Sequence, residues 1–316
     1  MECLGISNYP ITKLPNYSIP MNGVLIIDKP GGMTSHDVVN RVRRILQEPS
    51  VGHLGTLDPL ATGVLPLVTG NLTRLAQFYL ASEKTYEGVI RFGFATDTYD
   101  SDGEAADAPH EVQVSLEQLR ELSTRFVGLI EQMPPPFSAK KIKGVPAYKL
   151  ARRHQEVALK PVQVEIRQFE ILAFEGDRAS FRALVASGTY MRSVAHDMGQ
   201  QLGCGAHLQS LRRTSLGEFD LRQAHTLEDL EAAVRDGRSE ELFIHPRLLL
   251  PEFPCVTATV ETAALIRHGR AVNLPELSHA RQVKVFAGQR ELIAIATRIA
   301  GTLFHPKIVL ADTQTT

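Results

Sequence analysis

The residues best equipped for chemistry fall in one short stretch, His53-Leu-Gly-Thr-Leu-Asp58-Pro-Leu-Ala-Thr-Gly63. Pro59 keeps the backbone of Asp58 out of the helical region, so a single carboxylate is held in a fixed, extended segment. The small residues Gly55, Ala61, Thr62 and Gly63 let the backbone of a large ligand come close. An Asp-Pro pair alone is most often a turn or a helix cap; the whole string is far more specific. Further along, Arg192 in Gly188-Thr-Tyr-Met-Arg is permanently charged and planar, and can orient a carboxylate. Tyr86 sits on the apolar face of a stretch with period two. The run from Ser138 to Arg153 carries six basic residues, Lys140, Lys141, Lys143, Lys149, Arg152 and Arg153, with no acid and one tyrosine. A solvated loop can look like this, but following three prolines it better suits contacts to phosphates.

Other chemistries are excluded. With Gly103 at the turn position of a calcium loop, Thr98 and Pro109 would have to be the first and twelfth residues. Neither glycine-rich stretch supplies the lysine of a P-loop, no HExxH spacing occurs among the 11 histidines, and the Asp58 loop offers one acid where a glycosidase needs two. No metal and no cofactor are expected. The 3 cysteines, Cys3, Cys204 and Cys255, are odd in number and far apart, which argues against a disulfide framework.

The elements that must position these residues can be read from periodicity. Gly23-Val-Leu-Ile-Ile-Asp-Lys-Pro predicts a short buried strand. Val38, Val39, Val42, Ile45 and Leu46 predict a helix capped by Thr34 or Ser35. The stretch from Pro49 to Pro66 reads as an irregular loop, and Leu72, Leu75, Ala76 and Tyr79 as a second amphipathic helix. Tyr86, Gly88, Ile90, Phe92 and Phe94 alternate as a strand, followed by an acidic loop with Asp97, Asp100, Asp102, Glu104 and Asp107. Ser115 and Gln118 form a capping-box start for a helix carrying Leu116, Leu119, Leu122 and Phe126. Strands are expected at Val162–Ile166 and Phe181–Val185, then a helix opened by Tyr190. Beyond Pro251-Glu-Phe-Pro254, segments at Gln282–Phe286 and Glu291–Ala296 predict a hairpin in a small β-barrel-like module. The order of elements implies an α+β fold with a mixed, mainly antiparallel sheet. Residues 1–22 read as a disordered extension, with Met21 as the expected natural start, residues 23–250 as the main domain with an insertion near 134–160, and 251–316 as the accessory module.

With 43% apolar and 22% charged residues, the chain of 316 is ordinary for a globular protein, and it holds no apolar stretch long enough to span a membrane. No secretory signal is evident at the start, so a cytoplasmic protein is expected. The formal net charge of −1 speaks against a uniformly basic surface, but not against a local basic footprint.

The ordered strings Gly23-Val-Leu-Ile-Ile-Asp-Lys-Pro-Gly-Gly-Met-Thr-Ser-His36, Gly55-Thr-Leu-Asp-Pro-Leu-Ala-Thr-Gly-Val-Leu-Pro66, Lys84-Thr-Tyr86, Thr96-Asp-Thr-Tyr-Asp-Ser-Asp-Gly103, Gln132-Met-Pro-Pro-Pro-Phe-Ser-Ala139, Ser187-Gly-Thr-Tyr-Met-Arg-Ser193 and Gly203-Cys-Gly-Ala-His-Leu-Gln-Ser-Leu-Arg-Arg213 resemble the bacterial TruB-type tRNA pseudouridine synthases. The resemblance implies a pseudouridine-synthase catalytic domain followed by a PUA-like RNA-binding module, acting alone on the T-arm of tRNA as a monomer, without guide RNA or an obligate protein partner. It implies Asp58 as nucleophile, Arg192 as its partner, and Tyr86 as the residue that stacks on the target uracil and takes part in proton transfer; either the sugar or the base can be attacked first. Leu211 would wall the pocket, Tyr190 would join the substrate-binding residues, and His53 would fill the space left by flipped nucleotides. Leu54 stands where the family usually has threonine. Lys140, Lys141, Lys143, Arg152 and Arg153 would clamp the RNA, with Arg212 and Arg213 adding to the basic side. The opposing charges would lie in the acidic loop and at Glu228–Glu241. An RNA-folding protein without catalysis and a guide-dependent synthase are the competing readings.

Overall fold

The structure, a computed structural model, describes residues 22–106, 108–138, 141–142, 145–146 and 159–310. Of the expected extension at 1–22, residues 1–21 lie outside the described residues, as does most of the basic run. The larger sheet uses β1 (Gly23–Lys29), β2 (Val51–His53), β3 (Thr62–Thr69), β4 (Lys84–Phe92) and β5 (Gly128–Gln132). Two short strands, β6 (Lys141–Ile142) and β7 (Val145–Pro146), pair only with each other. The sheet continues with β8 (Val162–Glu175), β9 (Arg178–Val185), β10 (Ala206–Leu216), β11 (Phe219–Asp220), β12 (Ala224–His225) and β13 (Phe243–Ile244). Its order is β12-β1-β3-β10-β4-β9-β8-β5, with β2, β11 and β13 paired at its flanks. Only β1 with β12 and β3 with β10 run parallel, so the sheet is mixed and mainly antiparallel, as expected.

Helix α1 (Ser35–Leu46) begins at a capping box, in which the Thr34 hydroxyl accepts from the Asp37 N–H and the Asp37 carboxylate accepts from the Thr34 N–H. Val38, Val39, Val42 and Leu46 face the core. Helix α2 (Leu116–Thr124) starts at the predicted Ser115–Gln118 box, but stops before Phe126, which is nonetheless buried. Helix α3 (Met191–Leu202) is entered from Tyr190 and ended by Gly203 in the left-handed region. Helix α4 (Leu227–Arg235) packs on α1, where Arg41 bridges Glu228 and Glu231.

Three expectations need correction. Residues 49–66 are not an irregular loop, since they hold β2 and the first half of β3. Pro66 is tolerated because the edge of β3 that faces away from β1 is shared: β10 pairs with Thr62 and Gly63, and β2 with Leu67 to Thr69. The Pro66 carbonyl, on that edge, accepts from the Leu54 N–H, so the missing proline N–H falls in a gap in the ladder. Second, residues Gly70–Tyr79 form a 3-10 helix, burying Leu72 and Leu75 at its three-residue repeat. Third, β8 runs on to Glu175, because β9 returns alongside it and continues the ladder past Ile166.

The smaller sheet comprises β14 (Cys255–Ala258), β15 (Val272–Asn273), β16 (Gln282–Ala287), β17 (Glu291–Ala300) and β18 (Leu303–Val309), ordered β14-β16-β17-β18-β15, with α5 (Val260–Arg267) against it. The predicted hairpin is β16–β17. One apolar cluster joins the two sheets: Val68, Leu72, Leu75, Tyr79, Leu216 and Phe219 share it with Phe286, Leu292, Ile295 and Ile308. Lys284 is buried in β16 and donates to the carbonyls of Arg247 and Leu249, at 2.9 and 2.5 Å, pinning the segment that connects the sheets.

Candidate active site

The loop between β2 and β3, the start of α3, and strands β4 and β10 converge on a cavity of about 310 Å³. Asp58, Tyr86, Tyr190, Arg192 and Leu211 all line it. Leu54 lines it too and is itself buried. A second cavity of about 520 Å³ shares Thr56, Leu57, Asp58 and Arg192 with the first, and His53 lies there rather than beside Tyr86. Both volumes fall in the range of small-ligand pockets. Asp58 therefore stands between two spaces.

Arg192 is held on α3 with its side chain 5% exposed, and its Nε lies 3.0 Å from Oδ2 of Asp58. That contact is an ion pair whose N–H is not aligned as a hydrogen bond, for Nε has no such partner. The other guanidinium nitrogens are fixed: Nη1 donates to the Thr98 carbonyl at 3.1 Å and lies 3.5 Å from Asp100 Oδ2, and Nη2 donates to the Phe137 carbonyl at 2.9 Å. Burial pushes the Asp58 carboxyl above its ordinary range; Arg192 and Lys29 pull it back, while the nearby Asp100 adds to the rise. The side chain keeps 38% of its surface, so water in the open cavities screens these charges.

Tyr86 is buried in β4, with its ring in the cavity wall. Tyr190 precedes α3 and is locked by Gln132, whose amide donates to its carbonyl at 3.0 Å and accepts from its N–H at 2.8 Å. Burial raises its phenol. The His53 imidazole has a buried Nδ1 with no partner, and burial, reinforced by Arg213 and His36, keeps it neutral-leaning by lowering its pKa. Lys140, Lys143, Arg152 and Arg153 lie outside the described residues, and of Lys141 only the strand backbone is described.

Three residues that matter here escape a reading of the sequence. Asp100 looks like one acid among five, yet it is 4% exposed and turned inward: its Oδ1 accepts from the Thr98 hydroxyl at 2.6 Å, and Tyr99 beside it takes a left-handed backbone (φ 65°) with its ring stacked 3.7 Å from His196. The loop is thus no simple counterweight to basic charge. Lys29 ends β1 fully buried; its ammonium donates to the carbonyls of Pro30, Met33 and Pro59, and burial pushes it down to about 8. Of the two arginines expected to add to the basic side, Arg213 is withdrawn from the surface, while Arg212 keeps 40% of its side chain exposed. Arg212 is paired with Asp28 at 2.7 Å, and Arg213 is fully buried, since its β10 position points between strands. The only hint in the sequence was a lysine or arginine at the end of an apolar strand.

Among the described residues no helix is long and apolar enough to cross a membrane, and no group of three or more potential metal ligands occurs.

Comparison with known proteins follows the same residues. The model of the TruB family pseudouridylate synthase N-terminal domain matches residues 43–191, and that of the tRNA pseudouridylate synthase B C-terminal domain matches 192–251. The chain is 50% identical over 293 residues to a tRNA pseudouridine synthase B of Solibacter usitatus (strain Ellin6076), covering 92% of this chain and 100% of the relative. It is 42% identical to that of Azoarcus sp. (strain BH72), covering 93% and 96%. A chain in the structure of an H/ACA RNP bound to a substrate RNA containing 2'-deoxyuridine superposes with a TM-score of 0.69 at 25% identity, covering 92% of this chain and 86% of that one.

Proposed function

The chain belongs to the TruB family of pseudouridylate synthases, and from that premise we propose that it isomerises the uridine at position 55, in the T-loop of tRNA, without guide RNA. The name its relatives carry supports tRNA as substrate. The observation that carries the reading is the Asp58 carboxylate facing Arg192 at 3.0 Å in a cavity walled by Tyr86 and Leu211.

A stacked uridine is out of reach of a carboxylate, so the nucleotide is flipped into that cavity. Asp58 acts as nucleophile while the C1′–N1 bond breaks. The freed uracil turns and joins C1′ through C5, and the Asp58 carboxylate is released unchanged as that bond forms. The proton lost from C5 is matched by one gained at N1, so the change is an isomerisation that balances without cofactor or oxidant. Arg192 holds Asp58 ionised and aimed. Tyr86 stacks on the base, with its hydroxyl available for proton transfer, and Tyr190 and Leu211 close the walls. His53 occupies the space left by the flipped nucleotides. The basic residues Lys140, Lys141, Lys143, Arg152 and Arg153 clamp the T-arm, and residues 251–316 serve as a PUA-like RNA-binding module behind a catalytic domain of residues 23–250. The protein works as a cytoplasmic monomer.

The test is to incubate the purified chain with unmodified tRNA transcript and no other RNA, then map pseudouridine by position. The expected product is a single modification at position 55, with Asp58→Asn slower by more than about 10⁴-fold. Robust turnover by Asp58→Asn, or a requirement for a guide RNA, would overturn the reading. The second outcome would align the chain with the H/ACA-type chain it superposes on.

A further inference from the structure

Among the described residues Arg213 has the largest fully buried side chain, at 0% exposure, and it has no carboxylate within ion-pair distance. Burying an unpaired guanidinium is costly unless hydrogen bonds satisfy it, and an apolar side chain of similar size would serve a core as well or better. What Arg213 touches explains its presence. In β10 it sits opposite Gly63 of β3 on one side and Tyr86 of β4 on the other. Its side chain enters the gap in the β3 ladder described above, where Nε donates to the Val64 carbonyl at 2.8 Å. Nη2 donates to the Gly55 carbonyl at 2.9 Å and Nη1 to the Thr56 carbonyl at 3.3 Å. The Tyr86 phenol lies near enough to act on the guanidinium electrostatically. Arg213 therefore holds the backbone just before Asp58 from a position directly across the ladder from Tyr86.

The surroundings are shaped for this contact. A Cβ on Gly63 would lie 2.2 Å from the Arg213 carbonyl, whereas one on Gly55 would press Leu216 at 3.0 Å and only touch Nη1 at 3.5 Å. We infer that Arg213 is a positioning residue for the reaction: its planar fork sets the spacing between Asp58 and Tyr86 and fixes the Tyr86 hydroxyl as a hydrogen-bond acceptor, leaving its proton to face the cavity. A lysine keeps the charge but puts a point donor on a flexible stem in place of a planar fork, so it loses the fixed spacing the fork sets between the Val64, Gly55 and Thr56 carbonyls. Misplacement of reacting groups by about 1 Å costs about 100-fold in rate. The field of the same charge reaches the cavity wall, where, after burial itself, it helps push Lys84 down to about 8.

This inference rests on the proposed activity, and two measurements separate its failure from that reading's. The first is steady-state kinetics of Arg213→Lys on unmodified tRNA, with thermal unfolding as a check on folding. A fall in kcat of about 100-fold, with KM within about threefold, is expected; a change in KM alone, or no change, overturns the inference. The second uses the parent protein and needs no Arg213 variant. In Arg-labelled protein, the buried Arg213 Nε–H and Nη–H resonances are expected to be slow to exchange and to shift on Tyr86→Phe. Unshifted signals overturn the contact with Tyr86, even if Arg213→Lys does not fold. If the parent modifies no RNA, the proposed activity falls, and the resonances alone decide for or against the contact.

Discussion

Under the proposed mechanism the Asp58 carboxylate acts as an anion, yet it sits where burial works against ionisation. Its pKa is raised in the folded chain, so between about pH 4, the ordinary carboxylate value, and the raised value the folded state holds a proton that the unfolded chain has lost. Folding stability therefore declines as pH rises through that interval, and the ionised carboxylate is a cost to the fold. Asp58→Asn removes it while leaving Arg192 bonded to Thr98, Phe137 and Asp100. The variant is expected to unfold at the same temperature as the parent near pH 4 and up to a few degrees higher at pH 8. A variant less stable than its parent at pH 8 would contradict this sign. Asp58, Arg192 and Tyr86 were legible because their types and flanking strings are distinctive. Asp100, Lys29 and Arg213 were not, because their importance lies in burial, and burial of a charge is not written in its neighbours along the chain.

At the scale of elements, the site depends on how β3 divides one edge between β2 and β10. Gly63 makes that possible: its φ is 97° and β10 passes so close that no side chain fits. Gly128, at the start of β5, has a similar φ of 103° but nothing within 4 Å of an added Cβ. Gly63→Ala is expected to cost at least about 2 kcal/mol, combining strain and displacement, and Gly128→Ala clearly less. Denaturant midpoints of the two variants check the ordering, and equal losses would mean that backbone strain alone matters at Gly63. The capped helices α1 and α2 were read well because their signals are local side-chain to backbone bonds. Residues 49–66 were misread because their strands are made by partners far along the chain, which override the local glycines and prolines.

Across the whole molecule, two sheets share an apolar cluster and are not beads on a linker. Phe286 of the smaller sheet is fully buried in that cluster, and the Arg247 guanidinium lies over its ring at 4.4 Å. Phe286→Ala is expected to cost about 3–5 kcal/mol and to lower one cooperative unfolding transition in calorimetry. Two separate transitions, only one of which moves, would show that the sheets fold independently. The net charge of −1 is consistent with this architecture. Arg213 is spent inside the molecule on backbone carbonyls and the partly exposed Arg212 is paired with Asp28, so the total says little about the surface that remains.

By itself the sequence determined the α+β class, the family, the capped helices, the β16–β17 hairpin and the loop bearing Asp58, since each rests on short-range patterns or on strings that are specific in order. Only the tertiary structure decided that His53 lies in a second cavity and that Asp100 turns inward to Arg192. It alone decided that Arg213 is buried within the sheet against the Gly55, Thr56 and Val64 carbonyls, and that the two sheets share a core. Those outcomes depend on which distant segments meet and how much water they exclude, and exclusion of water is what turns an ordinary charged side chain into part of a site.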